Sequence, residues 1–170
     1  DDPPIPNVIG QVYAPNEAGF RAGDLSAGMS KSGVVGTFGG INIPPVTAFM
    51  DGYYYGVAYH NSQKGTNVQV LGWNPSSKDG LFTGNFESLD DGRSFAQNLY
   101  DEGADIVMPV AGPVGLGSAA LATELGPDSL KIIGVDADME VQDSNNPGVY
   151  LTSVLKRMDS TVMQVIKQAM

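Results

Sequence analysis

The chain has 170 residues, enough for one domain or for one domain and part of another, and 19 acidic against 9 basic residues give a net charge of −10 at pH 7. Such a surface repels phosphate backbones, which argues against a nucleic-acid partner. The sequence contains no Cys, only His60 as histidine, and no run near the roughly 20 apolar residues of a membrane span, so disulfides, zinc catalysis and transmembrane helices are not expected.

The first predicted elements are a short strand at residues 7–13 and a helix with Asn16 as its N-cap. The helix is predicted to end at Ser32-Gly33. One face of this helix is predicted to be apolar, because apolar residues recur at spacings of i, i+4, i+7 and i+11. These residues are Ala18, Ala22, Leu25 and Met29. Gly19 and Gly23 lie four residues apart on an adjacent strip, where they weaken the helix but permit close packing.

Strands and helices continue to alternate along the rest of the chain. Further strands are predicted at residues 33–38, 67–73, 104–110, 130–135 and 149–155. Further helices are predicted to begin at Pro44-Pro45, Asp90-Asp91, Ser118 and Met158, and the Gly/Ser/Asn-rich residues 74–88 predict a loop. This alternation predicts βαβ units and a parallel sheet, so the fold class is α/β.

Ligands of open parallel sheets bind outside the carboxyl ends of the strands, and this rule selects the candidate site residues. The loops concerned are Gly39 to Ile43, Trp73 to Phe86, Ala111 to Gly117, Asp136 to Asp138 and Lys156-Arg157. Gly112 begins a Gly-x-x-Gly-x-Gly turn, which would let a ligand approach the backbone or would simply shape the loop. Asp136 would accept two hydrogen bonds from vicinal hydroxyls or cap the next turn.

Two further candidates also allow two interpretations. Lys156 follows an apolar strand and would either reach the rim of the site or be solvated. Phe86 would stack on a ring or pack in the core, whereas Trp73 is better explained as a core residue. The sequence contains no Gly-x-Ser-x-Gly nucleophile elbow and offers no convincing catalytic set.

Several collinear motifs resemble the basic membrane protein (BMP) family, and together they extend over nearly the whole chain. The motifs are Asn16 to Gly23, Ser30 to Gly40, Ile43 to Val46 with Phe49 and Gly52, Gly103 to Val107, Ala111-Gly112 with Gly115 and Gly117, Ile133 to Asp138, and Leu151 to Asp159. Members of that family are substrate-binding lipoproteins of ABC importers, typically for purine or other nucleosides. The resemblance implies a periplasmic-binding-protein type I-like fold, with parallel sheets flanked by helices in two lobes.

The resemblance also implies how the chain is divided between the lobes. Residues 1–31 would be part of the N-terminal lobe, residues 32–148 the C-terminal α/β lobe, and residues 149–170 the crossover strand and helix that return to the N-terminal lobe. Both ends of the chain are expected to be cut, because it opens without Met on a Pro-rich stretch and closes at Met170 within a helix. The family segment that holds the base would precede Asp1.

Site residues carry over from the family by position. The resemblance implies that Asp136 holds ribose hydroxyls, Lys156 reaches the ligand from the crossover strand, Gly112 offers its backbone and Phe86 touches the base. Gly40 is the fifth expected ligand-binding residue. Where the family usually has Gln after the second acid of this motif, the chain has Met139, which puts that neighbouring contact in doubt.

The expected function is therefore reversible binding of nucleosides, purine nucleosides in particular, without catalysis, cofactor or metal. The implied partners are a nucleoside ligand and an ABC transporter permease in the membrane. The implied location is extracytoplasmic, lipid-anchored at the cell membrane or periplasmic. Two alternatives stay open at this point: a ligand-sensing protein of the same fold, and a nucleoside-processing α/β enzyme.

Overall fold

A computed structural model describes residues 8–169, in which strands and helices alternate along the chain. The strands are β1 (Val34–Gly39), β2 (Gln69–Leu71), β3 (Trp73–Asn74), β4 (Asp79–Gly80), β5 (Ile106–Val110), β6 (Lys131–Asp136) and β7 (Tyr150–Leu155). The helices are α1 (Pro15–Met29), α2 (Pro44–Lys64), α3 (Leu89–Asp101), α4 (Gly115–Leu125), α5 (Met139–Gln142) and α6 (Met158–Ala169), with a 3₁₀ turn at Gly112–Val114 before α4. The predicted α/β class is confirmed.

Five strands form one parallel sheet in the order β2-β1-β5-β6-β7. The chain first moves outward from β1 to β2 and then returns to the other side of β1 to form β5. The direction of winding therefore reverses between β1 and β5. In open α/β sheets, such a switch point leaves a crevice for ligands outside the carboxyl ends of the strands.

The core has two halves, one on each face of the sheet. Neighbouring residues of β5 show the alternation, because Met108 packs with residues of α1 and α2 whereas Val107 packs with residues of α3 and α4. Both residues are fully buried. This double burial is why the strands consist of continuous apolar runs.

Glycines allow α1 and α2 to approach each other closely. A Cβ at Gly23 would overlap the carbonyl oxygen of Tyr53, and a Cβ at Gly19 would lie 2.7 Å from the carbonyl oxygen of Phe49. The packing role predicted for Gly19 and Gly23 is thus confirmed. The predicted apolar face of α1 is only partly right, because Leu25 is exposed; Met29 is exposed as well.

The first predicted strand and the first predicted N-cap are wrong. Residues 8–13 form no strand, and Asn7 lies outside the described residues. The N-cap of α1 is Ala14, and Pro15 occupies the first helical position, where its missing N–H costs nothing. Asn16 therefore lies inside the helix and caps nothing.

Two further corrections concern the middle of the chain. The predicted strand 67–73 is divided at Gly72, whose φ of 82° turns the backbone out of the sheet. Trp73–Asn74 then pairs antiparallel with Asp79–Gly80, so a hairpin interrupts the predicted loop. The N-cap of α3 is Ser88, whose hydroxyl accepts a hydrogen bond from the N–H of Asp91 at 3.2 Å; the start predicted at Asp90-Asp91 is thus slightly late.

The division of the chain between two lobes stays a prediction. Helix α1 packs against α2, and β7 pairs with β6 through Val154 and Val135. Helix α6 exposes four large apolar side chains: Met158, Val162, Met163 and Ile166. Within residues 8–169, no helix combines the length and the apolar character that a membrane crossing requires.

Candidate binding site

The carboxyl ends of β1, β5, β6 and β7 border a cavity of about 290 Å³, which we call the strand-end cavity. It lies at the switch point between β1 and β5. Its walls are formed by the loops after three strands, by the start of α2 and by one aromatic side chain from the segment before α3. The lining residues are Ile43, Pro45, Val46, Phe49, Phe86, Val110, Gly112, Pro113, Val135, Asp136 and Lys156.

Asp136 is the last residue of β6 and has a left-handed backbone, with φ at 69°. Apart from Gly, Asp and Asn adopt this conformation most readily. The strand ends here because the N–H of Ala137 turns back to the carbonyl oxygen of Val135 at 2.8 Å. Among the described residues, no group donates a hydrogen bond to the carboxylate of Asp136, although it lines the cavity. Its oxygens are thus available to an external donor.

Lys156 follows β7, and its main chain is joined to that of Asp136. The N–H of Lys156 donates to the carbonyl oxygen of Asp136 at 2.9 Å. The ammonium lies 5.0 Å from the centre of the Tyr13 ring, within reach of a cation–π interaction. No carboxylate lies within 4.0 Å of this ammonium in the part of the chain that the structure describes. The lining of the cavity therefore includes one acidic and one basic residue whose side chains are not paired with each other.

Phe86 forms the aromatic wall of the strand-end cavity. Its half-buried ring lies against Gly40, where a Cβ would overlap both the ring and the carbonyl oxygen of Asn85. Gly40 itself does not line the cavity. The structure thus places Gly40 behind Phe86, as the residue that leaves room for the ring.

Gly112 lies between β5 and α4 with φ at 53°, and nothing lies within 4 Å of the position that its Cβ would occupy. The space beside Gly112 is therefore open, and Gly112 lines the cavity. Four of the five predicted site residues, namely Asp136, Lys156, Phe86 and Gly112, thus line the same cavity. Their role in binding stays a prediction.

Sequence reasoning missed part of the apolar wall and one neighbour of the site. Val46 and Phe49 are core residues of α2 that also line the cavity, and their helical spacing indicated only burial. Tyr13 was assigned to a strand, yet its hydroxyl lies 2.6 Å from that of Thr161, and its ring lies beside Lys156. Nothing in the linear sequence joins positions that are 148 residues apart.

The other residues predicted near strand ends are engaged elsewhere. Trp73 is only 4% exposed, which confirms its interpretation as a core residue, and its Nε1 donates to Asp51 at 3.0 Å. Arg157 forms an ion pair with Asp159 at 2.9 Å. The hydrogen bonds that its guanidinium donates to the Asp159 carboxylate raise the pKa of the guanidinium. Asp138 is exposed and does not line the cavity.

Two other cavities help to delimit the site. A cavity of about 350 Å³ adjoins the strand-end cavity and shares Pro45, Phe49 and Lys156 with it. A larger groove of about 650 Å³ lies between α1 and α2, where its walls include Phe20 and Tyr55. None of the strand-end loops reaches that groove, so we assign the candidate site to the strand-end cavity.

The family profile described as "Bmp: ABC transporter substrate-binding protein PnrA-like" matches residues 1–170. The chain is similar to Basic membrane protein D of Borreliella burgdorferi (strain JD1), with 34% identity over 169 residues, 99% of this chain and 45% of the relative. It is also similar to Basic membrane protein A1 of Borrelia garinii subsp. bavariensis, with 36% identity over 156 residues, 91% of this chain and 42% of the relative. The chain thus spans less than half the length of these relatives.

Solved structures give the same picture of the fold. An ABC transporter system solute-binding protein from Aeropyrum pernix K1 matches with a TM-score of 0.77 and 26% identity, over 92% of this chain and 42% of that protein. A transcriptional activator of the comK gene from Bacillus halodurans matches with a TM-score of 0.65, over 93% of this chain and 47% of that protein. At 20% identity the second likeness shows the fold alone. The predicted periplasmic-binding-protein type I-like fold is confirmed.

Proposed function

The chain belongs to the Bmp family of PnrA-like ABC transporter substrate-binding proteins, and from this premise we propose that it binds nucleosides, purine nucleosides in particular, reversibly and without catalysis. The binding site is the strand-end cavity. The protein acts outside the cytoplasm and delivers its ligand to an ABC transporter permease in the membrane. It is held at the membrane by a lipid anchor or is periplasmic.

One observation carries this proposal. Asp136, Lys156 and Phe86, which come from three separate segments of the chain, meet at one cavity at the switch point of the sheet. The cavity volume of about 290 Å³ is close to the lower end of the roughly 300–1,000 Å³ that ligand pockets usually have. A second lobe closing over it would add the remaining contacts.

The three side chains match the three chemical features of a nucleoside. The carboxylate of Asp136 can only accept hydrogen bonds, and its two oxygens suit the vicinal hydroxyls of a ribose. The ammonium of Lys156 carries three donors for ring or sugar oxygens. The ring of Phe86 offers an apolar face on which a planar base can stack. Because one anion and one cation face the cavity, a neutral polar ligand suits it best.

The proposal assigns residues 32–148 to the second lobe, residues 1–31 and 149–170 to the first lobe, and the opposite wall of the cleft to the rest of the first lobe. Binding proteins of this kind close their lobes around the ligand, which removes its polar groups from water. Closure also strengthens the hydrogen bonds of Asp136 and Lys156 by lowering the local dielectric. The closed form would then be the one that the permease recognises.

Calorimetry on the full-length protein tests the proposal. Guanosine should bind more tightly than 2′-deoxyguanosine, which lacks one of the hydroxyls meant for Asp136, and free guanine should bind more weakly still. An intact nucleoside should be recovered unchanged after prolonged incubation with the protein. Equal affinity for the nucleoside and its deoxy form would contradict the role of Asp136, and cleavage of the nucleoside would favour an enzyme.

A further inference from the structure

Residues 72–86 form a strap that crosses the end of β1 and ends at Phe86. Three backbone hydrogen bonds fasten this strap to the strand. Gly39 donates to the carbonyl oxygen of Leu81 at 2.9 Å, Thr83 donates to that of Gly39 at 3.0 Å, and Gly84 donates to that of Gly40 at 2.8 Å. The position of Phe86 at the cavity therefore depends on where the strap lies.

A single carboxylate fastens the other side of the strap to α2. Asp51 accepts a hydrogen bond from Trp73 Nε1 at 3.0 Å through Oδ1 and one from Lys78 Nζ at 2.6 Å through Oδ2. The same ammonium lies 5.7 Å from the centre of the Trp73 ring. Lys78 has a φ of 57°, a conformation that costs energy for a residue other than Gly. The Asp51 carboxylate thus holds both the indole and the turn of the hairpin.

A chain of aromatic contacts connects this carboxylate to the strand end. The Trp73 ring meets Phe82 edge to face, with the ring centres 6.0 Å apart. Phe82 in turn lies against Gly39, where a Cβ would be 2.7 Å from the ring. Phe82 and Gly39 also form a backbone bridge. Displacing the indole would therefore move the part of the strap that precedes Phe86.

We propose that Asp51 is a positioning residue for the strand-end cavity: it clamps the strap to α2 and so fixes Phe86 in the wall. The importance of Phe86 for a ligand rests on the proposed function, whereas the clamp itself can be measured without any ligand. Asp51 lies outside the cavity lining, so its effect on binding would be indirect, and a test with Phe86 distinguishes a route through the strap from one through α2.

Two substitutions of Asp51 separate its two hydrogen bonds. Asp51→Asn keeps an oxygen acceptor for Trp73 Nε1 but removes the charge that attracts Lys78, and Asp51→Ala removes both. Asp24→Asn is the matched control, because Asp24 bridges α1 to His60 of α2 at 2.9 Å and does not touch the strap. Each variant is made in the full-length protein.

The ligand-free measurement is amide hydrogen exchange at Gly39, Thr83 and Gly84, the donors of the bonds between strap and strand. We expect these amides to exchange about tenfold faster in Asp51→Ala, to a smaller degree in Asp51→Asn, and at the original rate in Asp24→Asn. Trp73 is the sole tryptophan of residues 1–170, and its emission, taken as the difference from a Trp73→Phe background in the full-length protein, should shift to longer wavelength in Asp51→Ala alone. Unchanged exchange and emission in Asp51→Ala would overturn the proposal.

The second measurement is the dissociation constant for guanosine. Asp51→Ala should weaken binding about fivefold or more, and this effect should disappear when Phe86→Ala is also present. Weakening that persists in the double variant would show that Asp51 does not act through Phe86, and would overturn the inference. If the unchanged protein binds no nucleoside, the proposed function fails, and the exchange and emission results still decide whether Asp51 clamps the strap.

Discussion

The N–H of Lys156 donates a hydrogen bond of 2.9 Å to the carbonyl oxygen of Asp136, so main chain joins the two charged residues of the cavity. Asp136 is the last residue of β6 and has a left-handed backbone. Both side chains therefore start from fixed points on adjacent parallel strands. A ligand that displaced either side chain would leave the spacing between the two backbones unchanged.

Replacing Asp136 by Asn should weaken nucleoside binding about tenfold or more. A hydrogen bond to a charged group is worth roughly 1.5–3 kcal/mol, and the amide carries only one oxygen that can accept. Asn is preferred to Ala because it tolerates the φ of 69° at this position. Calorimetry on the full-length protein measures the effect.

Asp138→Asn is the control for that experiment, because Asp138 is exposed and lies outside the cavity. It removes the same charge only two positions away. Equal losses of affinity in the two variants would mean that net charge, and not a contact with Asp136, governs binding.

Adding a methyl group at Gly40 should weaken binding although Gly40 does not line the cavity. A Cβ there would overlap the Phe86 ring, so Gly40→Ala should push the ring into the cavity or away from it. We expect a loss of affinity of about fivefold or more, and Phe86→Ala should remove most of the difference between Gly and Ala at position 40. Affinity that is unchanged in Gly40→Ala would argue that the ring is not a binding surface.

Phe86→Ala alone separates stacking on the ligand from packing in the core. If the half-buried ring serves the ligand, the affinity should fall while the melting temperature of the ligand-free protein changes by a few degrees at most. Thermal unfolding without ligand and calorimetry with guanosine measure the two effects. A large loss of stability with affinity preserved would show that Phe86 is a packing residue of the core and not a binding surface.

The sheet could be predicted from the sequence because burial on both faces leaves a clear mark. Strands such as β5 and β6 are continuous apolar runs, and Pro44-Pro45 marks the start of α2. The rule about strand ends then correctly predicted that Asp136 and Lys156 lie at the carboxyl-end edge of the sheet. These inferences need only local patterns and the topology of βαβ units.

The errors arise where structure depends on a distant partner. Residues 8–13 have the composition of a strand, but no strand of the described sheet pairs with them. Trp73 leaves the sheet after the turn at Gly72, and its indole donates a hydrogen bond to Asp51, 22 positions away. The left-handed backbone of Asp136 suits an Asp residue, but the residue type alone does not predict it. Single-sequence patterns do not contain such pairings.

Tyr53→Phe should leave stability at pH 7 unchanged or raise it by about 1 kcal/mol. The Tyr53 hydroxyl is fully buried, and within the described residues neither it nor the buried Ser26 hydroxyl makes a hydrogen bond of ordinary geometry. Phe keeps the ring that packs between α1 and α2 and removes an oxygen that folding strips of water. Urea unfolding at pH 7 measures the difference, and a loss beyond 1 kcal/mol would show that the hydroxyl is well satisfied.

The same substitution should also reduce the loss of stability in alkali. Burial raises the pKa of Tyr53 well above its ordinary value of 10.0, and the nearby Ser26 hydroxyl opposes only part of that shift. The contribution of Tyr53 is therefore fully present below pH 10 and declines at higher pH, where the unfolded chain loses a proton that the folded chain keeps. Unfolding curves from pH 9 to 11 should be flatter for Tyr53→Phe, and parallel curves would contradict the shift.

The 170-residue chain alone should bind nucleosides far more weakly than the full-length protein and should self-associate. Helix α6 exposes an apolar face in which Val162 and Ile166 are 47% and 46% exposed. Val12, which precedes α1, is 96% exposed. In the two-lobe proposal these side chains pack against the first lobe, which also supplies the contacts to the base. Left uncovered, such a face favours association between copies.

Sedimentation of the 170-residue chain over a range of concentrations tests the association, and calorimetry tests the affinity. Val162→Lys with Ile166→Glu should make the isolated chain monomeric while lowering the melting temperature of the full-length protein, because the two-lobe proposal expects the same face to be buried there. Gln164→Lys with Gln168→Glu is a control that introduces the same two charges at exposed positions of α6 without altering these apolar residues. A compact monomer of the unchanged 170-residue chain that bound nucleosides at full affinity would show that the assignment of residues to two lobes is wrong.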